Sequence, residues 1–195
     1  MKPEAIRERL ATLDPRGWEA VPEPTDTERP LTPAAVLIPL VTHAEGLAAI
    51  FTERTAHLHD HAGQVSFPGG RYEDSDNNAV ATALREADEE IGLRPEAVEI
   101  IGCLDAHDTS SGFSVVPVVG LVTPPYSLTL DEFEVAEAFE VPLSFLFDPV
   151  NKRREEAFWR GEMRSYDIYA DYDGHMVWGV TARIVGRLQE VLLRP

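Results

Sequence analysis

The order of apolar runs along the chain predicts an α/β/α sandwich, a mixed β-sheet with helices packed on its faces. Strand-like and helix-like segments are interspersed rather than grouped, and no internal repeat or low-complexity run interrupts them. With 195 residues, 44% hydrophobic and 26% charged, the chain can bury one proper core without disulfide staples. The expected layout is an N-terminal helix and irregular connector over residues 1–33, then a single domain over 34–195.

Residues 3–12 have the pattern of a short helix, and "VPEPTDTERPLTP" (21–33), with four prolines, reads as connector. "AAVLIPLVT" and "GLAAIFTERT" predict two strands joined by a tight link at His43 to Glu45. "QVSFPGG" reads as a short strand ending in a glycine turn. A helix should run from about Asp76 to Ile91, with Ser75 or Asp76 as N-cap and Gly92 as its stop. "VEIIGCLDA" and "SVVPVVGLVT" are further strands, joined by the polar loop "HDTSSGF". "DEFEVAEAFEVPLSFLF" suggests a short helical segment before Pro142, and 157–180 suggests strands broken at Arg160-Gly161 and Asp173-Gly174. "TARIVGRLQEVLLR" closes the chain as an amphipathic helix.

Seventeen basic against 34 acidic side chains leave a net charge of −17, which argues against nucleic acid or an anionic membrane as the main partner. No run approaches the roughly 18 apolar residues of a membrane span. The N-terminus lacks the apolar core of a signal peptide, and a lone Cys103 fits a reducing compartment, so a cytoplasmic protein is expected.

The chemistry concentrates in "ALREADEEIGL" (83–93), where four carboxylates fall within five positions. At 100° per residue, Glu86, Glu89 and Glu90 share an arc of about 100°, beside the stripe of Val80, Leu84, Ala87 and Ile91 that should pack on the sheet. A solvated acidic face is one explanation, since like charges at i,i+4 cost only about 0.2–0.5 kcal/mol per pair. The preceding "FPGGRYEDSD" favours another. A glycine turn beside oxygen-rich carboxylates suits Mg²⁺ or Mn²⁺, with calcium or no metal as the alternatives.

Arg85-Glu86-Ala87-x-Glu89-Glu90-x-Gly92-Leu93 resembles the second half of the Nudix box, with Gly70 and Asp76 resembling its first half. Gly70 to Arg85 spans 15 positions where the family has 14, and Asp76 stands where glutamate is usual. The resemblance implies a metal-dependent hydrolase of a diphosphate linked to another moiety. Glu86 and Glu90 would be ligands, with Glu89 a ligand or proton acceptor and the Gly69 carbonyl a contributor. Arg85 would orient carboxylates, and Glu134, Glu137 and Glu140 are candidates for a general base on a later loop.

Upstream, Thr52, Arg54, Gly63, Phe67, Pro68, Gly69 and Gly70 match the extra motif of the coenzyme A diphosphatase branch, with Thr55 in place of serine and His59 in place of an arginine. "FEVPLSFL" and "VWGVTARI" resemble further segments of that branch. The resemblance implies a small-molecule substrate, coenzyme A or its thioesters, cut to 3',5'-ADP and 4'-phosphopantetheine. Arg54, Thr55, Gly63, Phe67, Pro68 and Gly70 would lie against it. Arg54 suits a phosphate, through its two-pronged guanidinium, or equally a salt bridge to a neighbouring strand; Arg71 is a second candidate. ADP-ribose, nucleoside diphosphate sugars and dinucleoside polyphosphates are the alternative substrates, and a nucleotide-binding module without catalysis is the alternative class. His57, His59 and His61 alternate but lack a completing zinc ligand, while His107 and His175 read as exposed loop residues. Phe113, Trp159 and Trp178 would stack on an adenine or pack in the core.

Overall fold

The computed structural model describes residues 3–11, 13, 31–57, 63–159 and 161–194. Its centre is a mixed sheet built on β1 (Thr32–His43). Along β1, Ala34, Ile38 and Leu40 enter one core while Ala35, Leu37 and Val41 enter the other, so the period of two puts apolar side chains on both faces. Strand β7 (Phe113–Val122) runs parallel beside it from Thr32↔Phe113 to Val41↔Val122. Beyond β7 lies β5 (Val98–Cys103), antiparallel.

On the other side, β2 (Gly46–Arg54) pairs with β1 only from His43↔Gly46 to Leu40↔Ala49. The two strands then diverge. Two short strands fill the wedge: β3 (Val65–Ser66) pairs with β2 and β4 (Gly69–Arg71) pairs with β1. The glycine turn expected after one strand is therefore itself a strand, lying on the sheet.

Helix α1 (Pro3–Leu10) buries Ile6 and Leu10. Helix α2 (Ala79–Ile91) covers one face of the sheet through Ala83, Ala87 and Ile91. Helix α4 (Gly179–Leu192), with α1 beside it, covers the other through Ile184, Val185 and Leu188. Between these lie β6 (His107–Asp108), β8 (Val135–Pro142), the short α3 (Leu143–Leu146) and the hairpin β9 (Lys152–Trp159) and β10 (Glu162–Tyr169). Cys103 is a small core residue whose thiol burial pushes up to about 12.

Several expectations need correction. Helix α2 starts at Ala79, capped by the Asn78 side chain, which accepts the Ala81 N–H at 2.9 Å; Asp76 is not a cap, because its carboxylate is engaged elsewhere. Val80 and Leu84 pack on the core as expected but stay half-buried at its margin. The buried arc instead runs from Thr82 through Ala83 and Glu90 to Ile91, rotated toward the acidic edge. Segment 135–142 is strand, not helix, since pairing of Phe139 with Phe51 across β8 and β2 overrides the helix preference of its Ala and Glu residues. The helical turn follows Pro142 rather than preceding it. Strand β1 begins at Thr32, inside the span read as connector.

Candidate active site

The wedge between β1 and β2 faces the C-terminal half of α2, and two glycines let backbone and helix approach. A Cβ on Gly69 would lie 2.4 Å from the Ala35 carbonyl oxygen, and one on Gly70 would lie 2.5 Å from the Glu86 carboxyl group. Gly69 has no room for a side chain against the backbone, and one at Gly70 would displace the Glu86 carboxyl group. The Gly69 N–H donates to Glu90 Oε2 at 3.2 Å.

Glu90 is 5% exposed, and its burial pushes its carboxyl up to about 8 against the opposing Gly69 hydrogen bond. Burial also raises Glu86, with Arg85 working the other way and Glu89 and Glu134 adding repulsion. Glu89 lies on the outer edge, its side chain 61% exposed. The three carboxylates thus grade from solvent to interior around the helix.

Arg85 commits all five N–H donors. Nε and Nη2 donate to the two oxygens of Asp76, each at 3.0 Å. Nη1 donates to Glu86 at 2.9 Å and Glu89 at 2.8 Å, and Nη2 also reaches the Arg71 carbonyl at 3.0 Å. Asp76 is buried, receives the Thr82 hydroxyl at 2.9 Å and the Glu73 N–H at 3.0 Å, and the paired guanidinium holds it below the usual carboxylate range. Residues 72–78 separate β4 from the helix, and Arg85 reaches Asp76 across that loop, with the helical register from Arg85 to Glu90 unbroken.

Arg54, at the end of β2, places Nη1 3.7 Å from Glu90 and Nη2 3.9 Å from Glu134. Glu134 belongs to a loop fastened to α2, with the Thr129 N–H bonded to the Ile91 carbonyl and the Asp131 N–H to the Glu90 carbonyl. The other two later glutamates point elsewhere: Glu137 lies 3.5 Å from His175, and Glu140 bonds the Tyr126 hydroxyl.

The upstream set divides. Gly63 closes a turn by donating to the Arg54 carbonyl, and the Pro68 carbonyl accepts the Leu37 N–H. Two residues expected against substrate are turned inward: Thr55 donates its hydroxyl to the Phe133 carbonyl at 2.8 Å, and Phe67, 3% exposed, stacks on Phe51 at 4.6 Å. Arg71 sits over the Phe113 ring at 5.3 Å. Trp178 is 41% exposed and meets Tyr166 edge-on; the side chain of Trp159 lies outside the described residues, as do His59 and His61. His107 is half-buried against Arg183, and His175 is buried between Glu53 and Glu137 and stacked on Phe139, so neither is an exposed loop residue. The Thr82 bond to Asp76 had no signal in the sequence, since a threonine inside a helix more often bonds its own backbone.

Among the described residues no helix is long and apolar enough to cross a membrane. Comparison with known proteins matches residues 31–159 to the NUDIX domain. "Uncharacterized Nudix hydrolase NudL" of Citrobacter koseri is 43% identical over 174 residues, covering 83% of this chain and 84% of the relative. Its Escherichia coli K12 namesake is 42% identical over 157 residues, 80% of each chain. Among solved structures, a Deinococcus radiodurans protein aligns with a TM-score of 0.51 at 14% identity over 84% of this chain and 88% of that one. The M. smegmatis Nudix hydrolase RenU aligns at 0.50 with 20% identity over 57% and 70%. Likeness at those identities speaks for the fold alone. Sequence identity above two fifths, across four fifths of both partners, settles the lineage: the chain belongs to the Nudix hydrolases.

Proposed function

We propose that the protein is a divalent-metal-dependent diphosphatase that cuts coenzyme A or its thioesters into 3',5'-ADP and a 4'-phosphopantetheine fragment. The observation that carries the site is Glu90, a carboxylate buried beside Glu86 and facing Arg54 as its nearest cation. Among the described residues no three His, Cys, Asp or Glu side chains already form a metal cage. The donor chemistry nonetheless fits Mg²⁺ or Mn²⁺: hard oxygens, two of them on carboxyl groups that burial holds toward the protonated form and a cation would return to the ionised one. Glu86 and Glu90 would hold the ion, with Glu89, Glu134 and the Gly69 carbonyl as further oxygens. Bound there, it would screen the diphosphate and polarise the attacked phosphoryl group.

The chain's own residues do the rest. Arg85, clamped by Asp76, fixes the direction of Glu86 and Glu89. Arg54 can turn from its two long carboxylate contacts to a substrate phosphate, which its planar fork matches better. Glu134, brought to the same guanidinium by the loop tied to α2, is the best placed of the three later glutamates to accept a proton from water. Coenzyme A is favoured by the motif from Thr52 to Gly70 and by the "FEVPL" and "WGVTA" segments. We further read a single domain that begins with β1 at Thr32, two residues before the expected boundary, with the preceding segment appended and its Ile6 and Leu10 packed into the core. The lone buried Cys103 suits a cytoplasmic setting.

Purified protein incubated with coenzyme A and Mg²⁺ or Mn²⁺, beside ADP-ribose and EDTA controls, should yield 3',5'-ADP and 4'-phosphopantetheine only with metal. Cleavage of ADP-ribose with coenzyme A untouched would overturn the substrate. Glu86→Gln should keep the fold and lose most turnover, and full activity would sink the metal assignment. Arg54→Ala should raise KM for coenzyme A more than for dephospho-coenzyme A if it holds the 3'-phosphate; equal effects on both would place it on the diphosphate.

A further inference from the structure

The loop that delivers Glu134 also carries a ring that composition did not single out. Phe133 is 66% exposed, and a lone exposed phenylalanine is ordinary. This one has a fixed base. Its N–H donates to Asp131 Oδ1 at 2.9 Å and its carbonyl accepts the Thr55 hydroxyl at 2.8 Å. On either side, the Thr55 N–H donates to the Glu134 carbonyl at 3.0 Å and the Asp131 N–H to the Glu90 carbonyl at 2.9 Å. The loop is therefore tied both to the end of β2 and to the end of α2.

A second ring stands against it. The His57 imidazole lies 4.9 Å from the Phe133 ring, tilted by 58°. The next residue, Glu134, shares Arg54 with Glu90. An anchored, solvent-facing aromatic pair thus borders the site where phosphates would be handled.

A phenyl face offers no hydrogen-bonding edge, so it accepts a flat π-system through stacking, without reading its polar atoms. The nucleoside half of a nucleoside-linked diphosphate carries such a group. A pantetheine arm, built of amides and a thiol, presents no aromatic surface. We propose that Phe133, backed by His57, is the platform on which the nucleobase of the substrate stacks. This rests on the diphosphatase reading, and it requires a nucleoside-linked substrate without requiring adenine or coenzyme A in particular.

The test is calorimetric titration of the wild type, Phe133→Ala, Phe133→Leu and Phe133→Tyr with 3',5'-ADP, with AMP and with 4'-phosphopantetheine. Removing the ring should weaken both adenine nucleotides by about five- to a hundredfold, with Leu behaving as Ala, Tyr close to wild type, and 4'-phosphopantetheine unchanged. Unaltered nucleotide affinity in Phe133→Ala overturns the platform, as does equal weakening of all three ligands, which would mean a disturbed loop. Selective loss of 4'-phosphopantetheine overturns it in favour of the other arm. Wild-type protein that leaves coenzyme A intact, with AMP binding still weakened in Phe133→Ala, removes the substrate reading and keeps the platform.

Discussion

At the scale of single residues, the site is a competition between burial and charge, and at Glu90 burial wins. Its folded carboxyl is raised to about 8 from an ordinary 4.5, so the native state holds a proton that the unfolded chain releases. Stability of the metal-free protein therefore falls as pH rises from about 4.5 to 8. Glu90→Gln removes that charge and keeps an acceptor for the Gly69 N–H. It should stabilise the metal-free protein by about 1–3 kcal/mol at pH 8 and by nothing near pH 4, measured by urea unfolding in EDTA. A flat difference across that range would show that Glu90 is solvated. If Glu90 holds the ion as proposed, the same substitution should cost metal affinity, because one charged ligand is lost.

At the scale of elements, α2 and the loop after it work as one piece. Gly92 ends the helix in a left-handed conformation, φ 66°, and a Cβ there would stand 3.0 Å from Thr129. Gly92→Ala should lower stability by about 1–2 kcal/mol from backbone strain alone. It should also depress turnover further than that loss explains, since pushing Thr129 away loosens the loop that presents Phe133 and Glu134. Stability lost with kcat unchanged below the melting transition would separate the loop from catalysis. The wedge between β1 and β2 makes the same point from the sheet side. Its two glycines work by lacking a side chain, which is why "FPGG" was legible as a close-approach turn, while the pairing of those glycines with β1 as part of a strand was not.

For the molecule as a whole, a chain at −17 acting on a diphosphate, as proposed, would have to take in an anion. With metal kept saturating, kcat/KM should rise several-fold as ionic strength goes from about 10 to 200 mM, because salt screens the repulsion that slows encounter. A fall over the same range would show that Arg54, Arg71 and the bound ion set a locally positive field that outweighs the net charge.

What could be read along the chain was whatever depends on local order. Glu86, Glu89 and Glu90 share a helix, and helical geometry alone carries them to one edge; Gly92 stops that helix because its left-handed backbone suits glycine; the near-continuous apolar runs of β1 and β7 imply a sheet covered on both sides. Whatever depends on contacts between distant segments stayed hidden. Asp76 meets Arg85 across a loop of irregular length, β8 becomes a strand only because β2 lies beside it, and His175 finds Glu53 from 122 positions away. Glu90 differs from Glu89 by one position along the helix, yet one is buried and the other mostly in water. Helical spacing brings the carboxylates together, but burial is a property of what packs around them, and that exists only once the sheet has closed against the helix.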